Sequence, residues 1–292
     1  MGSLRGTGVA LVTPFDEHQN VDYDGLGRLV DHVSVAGCEY LVVQGTTGES
    51  ATMSQEEKSK VLDFVAEKNA GKLPIVYGIG GNNTHAVVET IKSTDLSKVD
   101  ALLSVSPYYN KPSQDGILRH YVAVADASPV PVVLYNVPGR TGSMMSADTI
   151  LKLAEHSNIC GVKDASSNYD HLVTLAKRKP KDFDLISGDD LFTPTLIALG
   201  GVGAISVLAN ALPEQMKGMV DAALGNDPAR LRQEIFAMSD INPLMYEESN
   251  PVGVKALLDI IGICGSEVRL PLVKASEDLK ERIKAAYSEM KA

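Results

Sequence analysis

The 292-residue sequence has little cysteine, no excess of positive charge and no metal-binding pattern, and each absence removes a class of function. Its three cysteines, Cys38, Cys160 and Cys264, lie far apart with no CxxC. Neither a disulfide framework nor a zinc knuckle is indicated, and the cytoplasm is the expected compartment. A formal net charge of −10 argues against nucleic acid or an anionic membrane as partner. The six histidines (His18, His32, His85, His120, His156, His171) make no HxH or HExxH pattern and do not converge on predicted strand ends, so metal catalysis has little support. No GxSxG elbow or Ser-His-Asp set stands out. The N-terminus shows no apolar signal-peptide core, and Gly6 stands where a myristoylation signal wants Ser or Thr. Residues 192–213 carry no charge and approach membrane-spanning length, but Pro194, Gly200, Gly201, Gly203 and Asn210 interrupt them. They read as a buried helix, a glycine turn and a buried strand.

What remains is a 44% hydrophobic chain able to bury a large core. Apolar, β-branched runs at 8–13, 40–43, 74–77, 101–105, 130–135, 159–163, 183–187 and 203–207 predict strands. Amphipathic stretches at 23–36, 54–68, 84–96, 116–127, 146–156, 169–179 and 191–199 predict helices between them. The second of these opens with a capping box, Ser54-Gln55-Glu56-Glu57. Eight strand–helix units at intervals of roughly 20 to 35 residues predict an α/β fold of the (β/α)8 TIM barrel type. A doubly wound sheet is the alternative, but neither glycine cluster, Gly6-Thr7-Gly8 or Gly78-Ile79-Gly80-Gly81, makes a dinucleotide fingerprint. Strand signals stop after about Ala211. Residues 213–224, 228–241, 251–261 and 272–290 read as helices, three opening at or near proline. The expected division is a catalytic barrel over 1–224 and a C-terminal α-helical extension over 225–292.

Barrel chemistry sits at the carboxyl ends of the strands. The sixth predicted strand, Ile159-Cys160-Gly161-Val162-Lys163, ends on a lysine. Alternation puts Ile159, Gly161 and Lys163 on one face. An amine held there loses its charge more easily than in water, and a neutral amine attacks carbonyl carbon to form a Schiff base. A lysine that merely caps its strand and reaches solvent is the competing reading. Tyr135 is the last inward position of the fifth strand, about 4.8 Å from the sixth. A phenol beside an amine makes a proton relay for carbonyl addition. Arg140, just beyond, offers a fork suited to a carboxylate, although a surface arginine fits the position equally. After the second strand, Thr46 and Thr47 lie between Gly45 and Gly48. Backbone N–H groups there can approach a small anion, or the loop is a plain turn before a helix. Tyr108-Tyr109, beside Pro107, reads as loop packing or as an interface.

These motifs resemble one family. Gly45-Thr46-Thr47-Gly48-Glu49, Ser106-Pro107-Tyr108-Tyr109-Asn110-Lys111-Pro112, Tyr135-Asn136-Val137-Pro138-Gly139-Arg140-Thr141-Gly142 and Gly161-Val162-Lys163-Asp164 are similar to those of the dihydrodipicolinate synthases, pyruvate-dependent class I aldolases. Ser187-Gly188-Asp189-Asp190, Asn250-Pro251 and Arg269-Leu270-Pro271-Leu272 fit as well. The resemblance covers essentially the whole chain. It implies that Lys163 condenses with pyruvate, whose carboxylate rests on Thr46 and Thr47, with Gly188 and Ile205 lining the pocket. It further implies a relay of Tyr135, Thr46 and Tyr109, the last reaching in from a neighbouring subunit of a homotetramer built as a dimer of dimers. Arg140 would hold the carboxylate of aspartate 4-semialdehyde, and no cofactor is implied. Lysine-sensitive members resembling this chain carry histidines where Gln55 and Lys58 stand and a glutamate where Ala86 stands, while Ser50, Ala51, Asn82 and Tyr108 fit their allosteric pocket. Weak or absent inhibition by lysine is expected. The competing readings are a sialic acid lyase or keto-deoxy sugar acid aldolase of the same superfamily, and a catalytically silent barrel.

Overall fold

The apolar runs become eight short parallel strands: β1 (Gly6–Ala10), β2 (Tyr40–Val43), β3 (Ile75–Gly78), β4 (Ala101–Val105), β5 (Val132–Asn136), β6 (Ile159–Asp164), β7 (Asp184–Ser187) and β8 (Gly203–Ser206). A computed structural model describes residues 2–291, and in it the sheet closes as a barrel in the order β1 to β8. The predicted (β/α)8 architecture is therefore present. The chain forms two compact units. One comprises the segment up to Arg5 and Pro74–Ile205; the other comprises Gly6–Leu73 and the chain from Ser206 onward.

In the first unit, β5 is flanked by β4 and β6, and its Val132, Val133 and Leu134 are completely buried. Helices α3 (Thr84–Ser93), α4 (Gln114–Ala127), α6 (Ala147–Leu153) and α7 (Tyr169–Arg178) pack in sequence against one another. Helix α4 buries Ile117, Tyr121 and Val124, and the Tyr121 hydroxyl donates to Ser104 O at 2.8 Å. Each such side chain contributes about 1.5–3 kcal/mol on leaving water. Two shorter helices, α5 (Pro138–Thr141) and α8 (Thr193–Ala198), follow β5 and β7. The loop predicted after β5 thus contains a helical turn, which Pro138 starts by supplying a helical φ and lacking an N–H to satisfy.

In the second unit, β1 and β2 are buried along their whole length. Helix α1 (Tyr23–Val35) turns Leu26, Leu29, Val30 and Val33 inward and packs on α2 (Gln55–Asn69). The carboxyl-terminal helices are α9 (Pro213–Leu224), α10 (Pro228–Met238), α11 (Val252–Ile260) and α12 (Glu277–Lys291). Helix α9 packs on β1 and on α10, while α11 pairs with α12.

Most helix starts fall where the sequence put them, and a side chain fixes many of them. Ser54 accepts from Glu57 N–H while the Glu57 carboxylate accepts from Ser54 N–H, completing the predicted capping box. Asp22, Asn83, Ser113, Ser146, Asn168 and Asp227 cap other helices. Several boundaries differ, and side-chain bonds account for two of them. The first strand ends at Ala10 rather than at residue 13, since Val12 N–H donates to the Asn210 side chain and the Thr13 hydroxyl donates to Gly48 O. Helix α12 starts at Glu277 rather than at residue 272, because Ser276 is held by Glu248 and itself caps Leu279 N–H.

His120, on α4, is buried in the first unit. Its Nδ1 shares a hydrogen bond of 2.9 Å with the Thr84 hydroxyl, and its Nε2 has no partner among the described residues. Burial pushes its pKa down to about 4. A histidine depressed below its unfolded value stabilises the fold above about pH 6.5, and that contribution is lost as pH falls towards 4. The loss amounts to about 3 kcal/mol. We expect urea-denaturation midpoints of the wild type to fall across this window and those of His120→Gln to fall less steeply; parallel profiles would contradict the assignment.

Candidate active site

Strand alternation and parallel register together bring the predicted lysine and tyrosine side by side. The register pairs Val133 with Gly161, Tyr135 with Lys163, and Asn136 with Asp164. Lys163 Nζ stands over the Tyr135 ring, 4.5 Å from its centroid. The two residues are only 5% and 7% exposed, and no carboxylate pairs with the Lys163 amine among the described residues. An aromatic face attracts a cation without accepting its protons in strong hydrogen bonds. The amine is thus positioned but not engaged.

Two glycines make room here. A Cβ at Gly188 would stand 3.0 Å from Lys163 Cε and 2.7 Å from Ala165 Cβ. One at Gly161 would meet Asp184 O at 2.6 Å, so glycine lets β7 approach β6 closely. Ile205, at the end of β8, is buried. Arg140 lies exposed on α5 and has no ion-pair partner among the described residues. Tyr109 is 88% exposed and has φ +72°, while Lys111 has φ +45°. Left-handed backbone at non-glycine residues costs energy and recurs at functional loops. Asn82 Nδ2 donates to Tyr108 O and Asn110 Nδ2 donates to Asn82 O, which holds this loop in shape.

The Thr46–Thr47 loop belongs to the second unit. It forms a single 3₁₀ turn, Thr46–Gly48, bracketed by left-handed residues Gln44 (φ +61°) and Glu49 (φ +53°). Thr46 is half-buried, and the buried Thr47 hydroxyl accepts from Asn250 Nδ2 at 3.1 Å. Glu49 is gripped from two sides: Lys255 Nζ donates to one oxygen at 2.5 Å and Arg269 N–H to the other at 3.0 Å. Lys255 also donates to Glu267 O at 2.7 Å and lies 4.3 Å from the Phe15 ring centroid. Burial holds its pKa below the usual lysine range, with Glu49 opposing that effect. Arg269 additionally forks onto Glu57, whose carboxyl that hydrogen bond brings down to about 2.

Sequence reasoning missed this pair, although a lone lysine within the apolar helix Val252–Ile260 was a visible signal. It also gave no part to the side chains of Asn136, Asp164 and His171. Among the described residues no three His, Cys, Asp or Glu side chains stand together as metal ligands would, and no helix is long and apolar enough to cross a membrane.

The family model of the dihydrodipicolinate synthetase family matches residues 3–290. The chain belongs to that family. Similar family members include the 4-hydroxy-tetrahydrodipicolinate synthase of Cytophaga hutchinsonii, 50% identical over 287 residues, covering 98% of this chain and 97% of the relative. The corresponding synthase of Flavobacterium psychrophilum is 47% identical over 284 residues, covering 97% of each. Among solved structures, the dihydrodipicolinate synthase of Thermotoga maritima superposes with a TM-score of 0.96 at 34% identity, covering 99% of both chains. That of Acinetobacter baumannii complexed with pyruvate gives 0.95 at 36% identity, again over 99% of both.

Removing Lys255 leaves Glu49 a buried carboxylate without a counter-ion. Lys255→Met should therefore destabilise the fold by about 3–5 kcal/mol in urea titrations, and Glu49→Gln in the same chain should recover part of that loss. Equal stability of Lys255→Met and wild type would show the pair to be energetically idle.

Proposed function

We propose that this protein is a lyase of the synthase type, joining pyruvate to L-aspartate 4-semialdehyde through a Schiff base on Lys163. The product is 4-hydroxy-tetrahydrodipicolinate, on the diaminopimelate route to lysine. Membership of the family and relatives of that name over nearly the full chain support the reaction. The observation that carries the assignment to Lys163 is its amine, buried over the Tyr135 ring and free of any counter-ion among the described residues.

The chemistry follows from that amine. Lys163 Nζ adds to the keto carbon of pyruvate, and loss of water leaves an imine. Loss of a methyl proton gives an enamine, whose carbon attacks the aldehyde of the second substrate. The substrate's own amine then attacks the imine carbon, closes the ring and frees Lys163. Each addition and elimination moves protons, and Tyr135, whose ring lies under the amine, is the phenol we assign to carry them. We assign Thr46 and Tyr109 to the same relay, Thr47 with Thr46 to the pyruvate carboxylate, and Gly188 and Ile205 to the pocket wall. Each of these five lies near or just after the carboxyl end of a strand, where barrel sites are built. Arg140, exposed and without an ion pair, suits the carboxylate of the aldehyde.

Tyr109, 88% exposed with its backbone held left-handed, fits insertion into a second subunit, and we take the assembly to be a homotetramer built as a dimer of dimers. The acidic, cysteine-poor composition suits the cytoplasm.

Borohydride reduction in the presence of pyruvate, followed by peptide mapping, should place one pyruvyl adduct on Lys163. Tyr135→Phe should keep the fold and slow turnover by about 10²-fold or more. Labelling at another lysine, or wild-type turnover by the tyrosine variant, would sink the respective assignment.

Regulation follows from three residues. Ala86 supplies no carboxylate for a lysine ammonium, Gln55 no imidazole, and Lys58, half-buried, adds a like charge. We expect saturating pyruvate assays to show little inhibition by millimolar lysine; strong inhibition there would refute this reading.

A further inference from the structure

Asn136 ends β5 one residue beyond Tyr135, and Asp164 ends β6 one residue beyond Lys163. They are register partners, so their side chains share the face opposite the tyrosine and lysine. Asn136 Nδ2 donates to Asp164 Oδ2 at 2.7 Å, and both residues are buried. Asp164 is held on every side: Ser166 donates its N–H at 2.9 Å and its hydroxyl at 2.5 Å to Oδ1, and His171 Nε2 donates to Oδ2 at 3.2 Å. Burial alone pushes the carboxyl pKa up, but the bonds from His171, Ser166 and Asn136 outweigh it and leave the pKa lowered.

The other end of the same amide does something different. Asn136 Oδ1 accepts from Met145 N–H at 3.1 Å. Met145 closes the excursion that begins after β5 and carries Arg140 on Pro138–Thr141. A carboxylate accepts and a backbone N–H donates, so only an amide in one orientation serves both partners.

We propose that Asn136 is a positioning residue for the reaction, setting Lys163 through Asp164 and the Arg140 turn through Met145. The proposal rests on the Schiff-base reading of Lys163. The last ladder bonds at this edge run from Ala165 N–H to Asn136 O and from Gly188 N–H to Asp164 O, both at 2.8 Å. Beyond them the chain turns away from the sheet, and side-chain bonds take over. Loss of the amide frees the end of β6 to rotate and the Arg140 turn to drift. A shift of about 1 Å in a reacting group costs up to 10²-fold in rate.

Asn136→Ala and Asn136→Ser are compared with wild type at a temperature well below every melting midpoint. The readouts are the rate of borohydride trapping of pyruvate on Lys163, the KM for pyruvate and the KM for the aldehyde. Asn136→Ala should trap roughly tenfold more slowly and raise the aldehyde KM roughly threefold. Asn136→Ser should fall between, because a hydroxyl can serve one partner but not both at amide spacing. If Asn136→Ala does not fold, the serine variant carries the same comparison. Folded variants that lose melting temperature while trapping rate and both KM values stay at wild type would make Asn136 purely structural and overturn the proposal. Failure of wild type itself to trap pyruvate on Lys163 would remove the Schiff-base reading and the proposal with it, whatever the variants do.

Discussion

Slipping β5 against β6 by a single residue would put Asn136 beside Lys163 and turn Tyr135 towards the helices, because strand side chains alternate with a period of two. The register that prevents this is set by packing further down the same strands. Val133 opposite Gly161 allows β7 to close in, and Val132, Leu134 and Val162 fill the helix side without exposure. At the carboxyl end, where apolar contacts run out, the bond between Asn136 and Asp164 fixes the final rung. The Lys163–Tyr135 pair is therefore set by the strand register. Its geometry is a property of the sheet, not of a loop that has to find its place.

Among the described residues two lysines are nearly or wholly buried, and they are provided for in opposite ways. Lys255 meets a carboxylate at 2.5 Å, a carbonyl at 2.7 Å and an aromatic ring. The Lys163 amine stands over a ring and has no counter-ion among the described residues. An amine bonded on several sides holds a structure together and is a poor nucleophile, since its protons and charge are already committed. An amine given no counter-ion is poor structural material and well suited to attack a carbonyl. The Lys255 ion pair in turn steadies Glu49, two residues beyond Thr47, while Asn250 grips the Thr47 hydroxyl directly. The contrast supports the proposed part of Lys163 in the chemistry and gives Lys255 a part in the shape of the Thr46–Thr47 turn.

Local periodicity made the strands, Lys163 and Tyr135 legible, because alternation and strand order are enough to name the last inward residue of each neighbour. Helix starts were legible for a similar reason: a serine, aspartate or asparagine beside an amphipathic run satisfies the first free N–H groups. The ends were less so. Nothing in residues 272–276 signals that Glu248, 28 residues earlier, will seize Ser276 and delay α12. The grip of Lys255 on Glu49 spans 206 residues, and a motif that ends in glutamate does not say which cation answers it. Asn136 and Asp164 sat inside quoted motifs, yet only the register shows that they bond to each other.

The strained backbone has a pattern of its own. Gln44 follows β2, Tyr109 and Lys111 follow β4, and Ser167 follows β6, all with positive φ. Each lies past the carboxyl end of a strand, where a residue must leave the sheet and aim a side chain within a few positions. Left-handed backbone costs about 1–3 kcal/mol at a residue with a Cβ. A loop tolerates it when its neighbours hold the alternative out of reach, as Asn82 and Asn110 do around Tyr109. At the 3₁₀ turn, Lys255 and the Arg269 N–H serve that purpose for Glu49. Strain at these ends is therefore the consequence of turning sharply through residues that carry a Cβ, since only glycine adopts positive φ freely.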